Sequence, residues 1–215
     1  MNTIQTLAIS VLPIIFAITL HEAAHGYAAL HFGDKTAYLA GRVSANPLVH
    51  IDLFGTILLP AFLYWSTNGA FLFGYAKVPV DYSRLRDPKK NMFWVAGAGP
   101  AANLAMALAW GMVQKIAEIM PSSDFTLPLS LMADVGMTVN LILMVLNLIP
   151  IPPLDGGRIA VSLLPPAYAW RLASLERWGI FIVLFLMFTR ILGEILGPIV
   201  ALLRSLLALL FKFHY

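Results

Sequence analysis

The sequence predicts an all-α polytopic membrane protein: a three-span core with a re-entrant, partly β segment and one or two additional C-terminal helices. Three observations carry that expectation. Of 215 residues, 60% are hydrophobic and 12% charged, and the mean hydropathy of +0.80 is high for a soluble domain. Several apolar runs approach or exceed the roughly 20 residues that cross a bilayer. The formal net charge is only +3, so the placement of Lys and Arg reads as topology and gives no reason to expect nucleic-acid binding. At this length the spans leave no room for a sizeable soluble domain, and residues 1–215 read as one integral-membrane domain in a lipid bilayer. Cysteine is absent, which excludes disulfides and thiolate metal sites; a metal here must take His, Asp or Glu.

The first span is expected over about Ile4–Leu30. No Lys or Arg precedes it, and a cut near Ala23–Ala24 would divide the polar motif it carries, so it reads as an uncleaved span. Apolar runs at 53–65 and 70–76 follow, with basic residues on both sides: Lys35 and Arg42 before, then Lys77, Arg84, Arg86, Lys89 and Lys90 after. A segment that starts and ends on one side crosses twice or dips and returns. Both runs are too short for full crossings, so a re-entrant segment is expected, with one tilted short helix as the alternative. The second long span runs from Asn91 to about Ile119 and the third from about Leu129 to Ile149. A last apolar stretch covers Trp178–Phe211 around Arg190 and Glu194, either as one long helix or as a span plus an interfacial helix. With this parity the first span ends, the second begins and the third ends near the cytoplasmic face. The opening of the second span, "VAGAGPAANLAMALAW", has small residues that let helices approach closely, and Asn103 can hydrogen-bond across such a contact.

The end of the first span reads "HEAAH", residues 21–25. Residues four apart share a helix face, so His21 and His25 can bind one ion together. Glu22 sits beside the first of them and can take a proton from a water activated by that ion. Ionisable side chains in a span cost about 2.5–3.5 kcal/mol on insertion scales, which makes an intramembrane Glu a functional candidate. Catalytic zinc takes three protein ligands. His31 lies off the ligand face, His214 is terminal, and Glu118, Asp124 and Asp134 fall toward the far side. His50, in "NPLVHID", can enter from the loop as ligand or substrate contact. Asp155, in "NLIPIPPLDGGR", arrives at the same depth from the third span. Pro152 and Pro153 disfavour continuous helix before it, and Gly156 and Gly157 permit unusual dihedrals after it.

"HEAAHGYAA", "AGPAANL" and "NLIPIPPLDGGR" together closely resemble the site-2 proteases, intramembrane zinc metallopeptidases. "GRVSANPLVHIDLFGTILLP" and "FGYAKVPV" look like a compact prokaryotic branch built without an appended PDZ or CBS domain. The resemblance covers about residues 5–190. It implies one zinc ion per chain on His21, His25 and Asp155, with Glu22 as catalytic base and acid. It implies a transmembrane protein substrate, guided as an extended strand by an element within 36–80, and it suggests Asn147 as a substrate contact. Asn103 and His50 are further substrate-contact candidates. The implied location is the prokaryotic inner membrane, with the site near the cytoplasmic face. The competing class is an intramembrane metal-binding transporter or a non-catalytic membrane protein. A transporter needs ligands along two access routes, whereas these candidates gather at one depth.

Overall fold

The computed structural model describes residues 3–50 and 78–213, together with positions 58 and 65. The expected re-entrant segment therefore lies almost wholly outside the described residues, as does His214. Among the described residues there are eight α-helices and no β-strand. They are α1 (Thr3–His31), α2 (Thr36–Leu39), α3 (Pro88–Ile119), α4 (Thr126–Asn147), α5 (Asp155–Leu163), α6 (Pro166–Ala173), α7 (Glu176–Phe188) and α8 (Ile191–Phe211). Single 3₁₀ turns occur at Pro47–His50 and Tyr82–Arg84. Four helical stretches are long and apolar enough to cross a membrane: Ala8–His31, Pro88–Ile119, Thr126–Asn147 and Ile191–Phe211. The chain is an integral membrane protein.

The ends of these helices follow from local chemistry. α1 closes with Asp34 N–H donating to Ala29 O across Gly33, whose φ of +110° favours glycine. The buried Asp34 carboxylate then accepts from Thr36 N, Thr36 Oγ1 and, across the chain, Asp81 N. Arg86 N donates to Phe32 O. These bonds lash residues 78–86 along the C-terminal part of α1, where Ala29, Leu85 and Val95 form a small core with Val80 and Tyr82. α3 opens with Pro88 in its first turn and the Asp87 carboxylate accepting from Lys90 N.

α1, α3 and α4 pack together, α5 lies on α3, and α8 packs on α4 and α3. Cross-helix bonds fix the directions. His25 meets Val95 and His21 meets Asn103, so α1 and α3 are antiparallel; Asn103 meets Asn140 and Gln114 meets Ser130, so α3 and α4 are antiparallel too. The end of α1, the start of α3 and the end of α4 therefore share one end of the bundle. The main apolar core lies between α3, α4 and α8, around Ala107, Leu141, Met144, Val200 and Leu207.

The C-terminal stretch is not one helix. It breaks at Thr189–Arg190, where Arg190 takes φ 64° as the N-cap of α8. Arg204 of α8 pairs with Asp134 of α4. Lys115, near the end of α3, donates to Lys212 O just after α8, so α8 runs antiparallel to α4. Ile191 and Asn147 each lie thirteen residues from the Arg204–Asp134 pair, about 20 Å of helix, and α8 begins level with the end of α4. The start of α7 is tied to the same end by Glu176, which accepts from Arg158 of α5. Both ends of α7 thus lie at the site's end of the bundle, and this 13-residue helix does not cross it.

Candidate metal centre

His21 and His25 project from one face of α1, four residues apart, and are almost fully buried. Asp155 opens α5, after the turn at residues 148–154 that follows α4. Gly156 and Gly157 are helical and do not take unusual dihedrals. What position 156 needs is the absence of a side chain, because a Cβ there would fall on the Leu148 carbonyl. This tight turn places Asp155 Oδ2 3.2 Å from His21 Nε2 and Asp155 Oδ1 3.3 Å from His25 Nε2. The two Nε2 atoms are 3.1 Å apart.

The outer ring nitrogens are both committed. His25 Nδ1 lies 2.7 Å from Val95 O, which can only accept, so this nitrogen carries the proton. His21 Nδ1 lies 2.6 Å from Asn103 Oδ1. Each Nε2 then points a lone pair toward the other and toward the Asp155 carboxylate. Asp155 Oδ2 is buried and has no hydrogen-bond partner. With both imidazoles neutral, three electron-pair donors converge with no proton among them and repel one another unless a cation sits between them. Zinc with ligands at about 2.0–2.1 Å in a tetrahedron has ligand–ligand edges of about 3.3–3.4 Å, close to the observed triangle. Gly99 completes the cradle: a Cβ there would meet His25 Nε2 and would lie 2.6 Å from His21 Nε2. His21, His25 and Asp155 form the one group of this kind among the described residues, and their donor set fits zinc.

Glu22 sits beside this triangle, half-buried, and its Oε2 accepts from Val78 N at 2.8 Å. The contact depends on the lashing of residues 78–86 to α1, a tertiary arrangement that no local motif announces. Near it, Tyr82 is half-buried, and this desolvation pushes its phenol up to about 12 and keeps it neutral. The Arg158 guanidinium lies 4.8 Å from the Tyr82 ring centroid and donates to Glu176 Oε1 at 2.5 Å. This joins α5, the 78–86 segment and α7 around the site.

The other sequence candidates are placed differently. Asn103 is fully buried, and its amide is spent inside the protein: Oδ1 faces His21, and Nδ2 donates to Ala17 O and Asn140 Oδ1. No atom remains for a substrate, so its place is behind His21. His50 is buried in its 3₁₀ turn with Nε2 donating to Ser44 O; it is not among the three converging groups. Asn147 ends α4, half-buried, and donates to Leu143 O. Asn140 was not singled out from the sequence. The available signal was an amide inside the apolar run "TVNLILMVL", where an unpaired polar group is costly.

A His–His–carboxylate centre with an adjacent glutamate is the donor set of a zinc metalloprotease. Residues 111–189 match the family model for peptidase family M50. A Bacillus subtilis (strain 168) protein named "Putative zinc metalloprotease YwhC" is 34% identical over 199 residues, covering 87% of this chain and 84% of that relative. A Mycolicibacterium smegmatis (strain ATCC 700084 / mc(2)155) protein named "Putative zinc metalloprotease Rip2" is 29% identical over 182 residues, covering 84% of this chain and 66% of that relative. No solved structure matches. The chain belongs to peptidase family M50, the site-2 proteases.

Proposed function

We propose that the protein is a single-domain intramembrane zinc metalloendopeptidase that cleaves peptide bonds within or near transmembrane segments of other membrane proteins. The observation that carries this reading is the buried triangle of His21, His25 and Asp155 with Glu22 at its side. His21 Nε2, His25 Nε2 and Asp155 would hold one zinc ion per chain. Bound there, zinc supplies Lewis acidity that polarises the scissile carbonyl and makes water acidic enough to lose a proton near neutral pH. Water attacks the carbonyl carbon as Glu22 takes its proton. The carbon–nitrogen bond then breaks, and Glu22 returns the proton to the leaving nitrogen. The Val78 N–H holds Glu22 Oε2, which orients the carboxylate and leaves Oε1 for the transfer. A helical amide is shielded by its own hydrogen bonds, so the substrate must unwind before it reaches this carboxylate.

The basic stretch Arg84–Lys90 lies at the site's end of the bundle. By the positive-inside tendency this end faces the cytoplasm of a prokaryotic inner membrane, from which water would enter. The test pairs zinc content of the detergent-purified protein with cleavage of a transmembrane substrate in lipid vesicles. Wild type should carry one zinc. Glu22→Gln should keep it and lose cleavage by about 10²–10⁴-fold. Asp155→Ala should lose both. A folded wild type without zinc, or cleavage that survives Glu22→Gln, would sink the proposal.

A further inference from the structure

An asparagine is an ambiguous partner for a histidine. Its amide presents an oxygen that accepts or a nitrogen that donates, and the two are nearly the same size and shape. His25 has no such ambiguity, because its Nδ1 faces the backbone carbonyl of Val95. His21 faces the side chain of Asn103. With the amide reversed, an N–H would point at His21 Nδ1, the ring proton would move to Nε2, and a proton would stand where a metal needs a lone pair.

The surroundings remove the ambiguity. Asn103 Nδ2 lies 3.2 Å from Ala17 O and 2.9 Å from Asn140 Oδ1. Asn140 Nδ2 lies 2.8 Å from Gly136 O. Both carbonyls can only accept. Gly136 O therefore requires the nitrogen of Asn140 and turns its oxygen toward Asn103. That oxygen and Ala17 O together require both N–H groups of Asn103, which turns its oxygen toward His21. Both asparagines are fully buried, so no solvent competes for these bonds.

We propose that Asn140 and Asn103 are positioning residues of the metal centre: a one-way hydrogen-bond chain from the α4 backbone through both amides holds the His21 proton on Nδ1 and keeps Nε2 a lone-pair donor toward His25 and Asp155. The chain crosses α4, α3 and α1, so it also ties ligand chemistry to the packing of the three core helices. Neither asparagine touches the reacting atoms. The inference rests on His21 being a metal ligand.

The test measures zinc affinity by chelator competition in detergent for wild type, Asn103→Leu, Asn103→Asp and Asn140→Leu, with metal-free melting temperatures recorded alongside. Asn103→Leu removes the acceptor and should weaken zinc by about 10–100-fold, the range for outer-shell partners of ligating histidines. Asn103→Asp keeps an oxygen acceptor toward His21 whether ionised or protonated, and it has no N–H to present there. It should stay within about threefold of wild type even as its lost donors lower the metal-free melting temperature. Asn140→Leu should fall between the two. A packing role alone predicts that Asp at 103 is as damaging as Leu, and that result would overturn the chain, as would Asn103→Leu or Asn140→Leu with wild-type affinity. A wild type that binds no zinc would instead overturn the reading of His21 as a ligand.

Discussion

Two of the polar clusters within the described apolar helices include α4 and invite comparison. One is His21–Asn103–Asn140, in which Asn103 and Asn140 are fully buried and the histidine nearly so. The other is Asp134–Thr138–Arg204, where the carboxylate and guanidinium side chains remain 44% and 35% exposed. Asn140 and Asp134 lie six residues apart on the same helix, about 9 Å. The first cluster spans three helices and ends on the His21–His25–Asp155 triangle with its orphaned carboxylate oxygen. The second joins two helices and closes on itself. Full charge with partial exposure fastens α8 to the core. Neutral amides with complete burial set a proton's position. The difference teaches that polarity in a span is a poor guide to chemistry by itself; burial combined with one-way hydrogen bonding distinguishes a built site from a helix clasp.

The comparison can be broken at several points. The largest effect is expected from Gly99→Ala, whose new methyl group would occupy the space between the two Nε2 atoms. Both rings are pinned through Nδ1 and cannot swing away. Zinc affinity should fall by more than the roughly 100-fold ceiling of outer-shell changes, read by the same chelator competition. Retention of zinc would mean that the rings move freely and that the pinned geometry is illusory. Next is metal removal. A ligand present at about 100 times its Kd stabilises by about 2.7 kcal/mol, so stripping zinc should lower the melting temperature by roughly 5–10 °C. Asp155→Ala should melt at the same temperature with and without chelator.

The smallest effect belongs to the second cluster. Replacing both Arg204 and Asp134 by Met and Leu removes a partly exposed pair without orphaning either charge. Such pairs contribute up to about 1 kcal/mol, so the melting temperature should move by no more than about 4 °C. Zinc affinity should not change. A marked loss of zinc binding in this double variant would show the two clusters to be coupled through α4 and would erase the distinction drawn between them.

The sequence by itself determined the spans and the chemistry of the triangle's members. Apolar runs long enough to cross a bilayer are one-dimensional signals, and the helices over Pro88–Ile119 and Thr126–Asn147 lie within about three residues of their expected bounds. The four-residue spacing of His21 and His25 is equally local, because helix geometry alone puts them on one face. Only the tertiary structure decided which groups meet across helices. Nothing in "VPVD" announces that the Val78 N–H will hold Glu22, since that follows from Asp34 and Phe32 lashing residues 78–86 to α1. Asn103 reads from sequence as a helix-contact or substrate residue; its place behind His21 depends on which faces of α1 and α3 come together. Gly156 and Gly157 read as sites of unusual dihedrals and proved helical; backbone crowding, not dihedral freedom, is what excludes a side chain there. The last apolar stretch left one helix or two undecided, since Arg190 and Glu194, one turn apart, suit either an ion pair inside a helix or the end of a span, while the chain turns there to lay α8 along α4. Periodicity and hydropathy act along the chain, whereas partner choice is fixed by packing between faces that the chain order alone does not bring together.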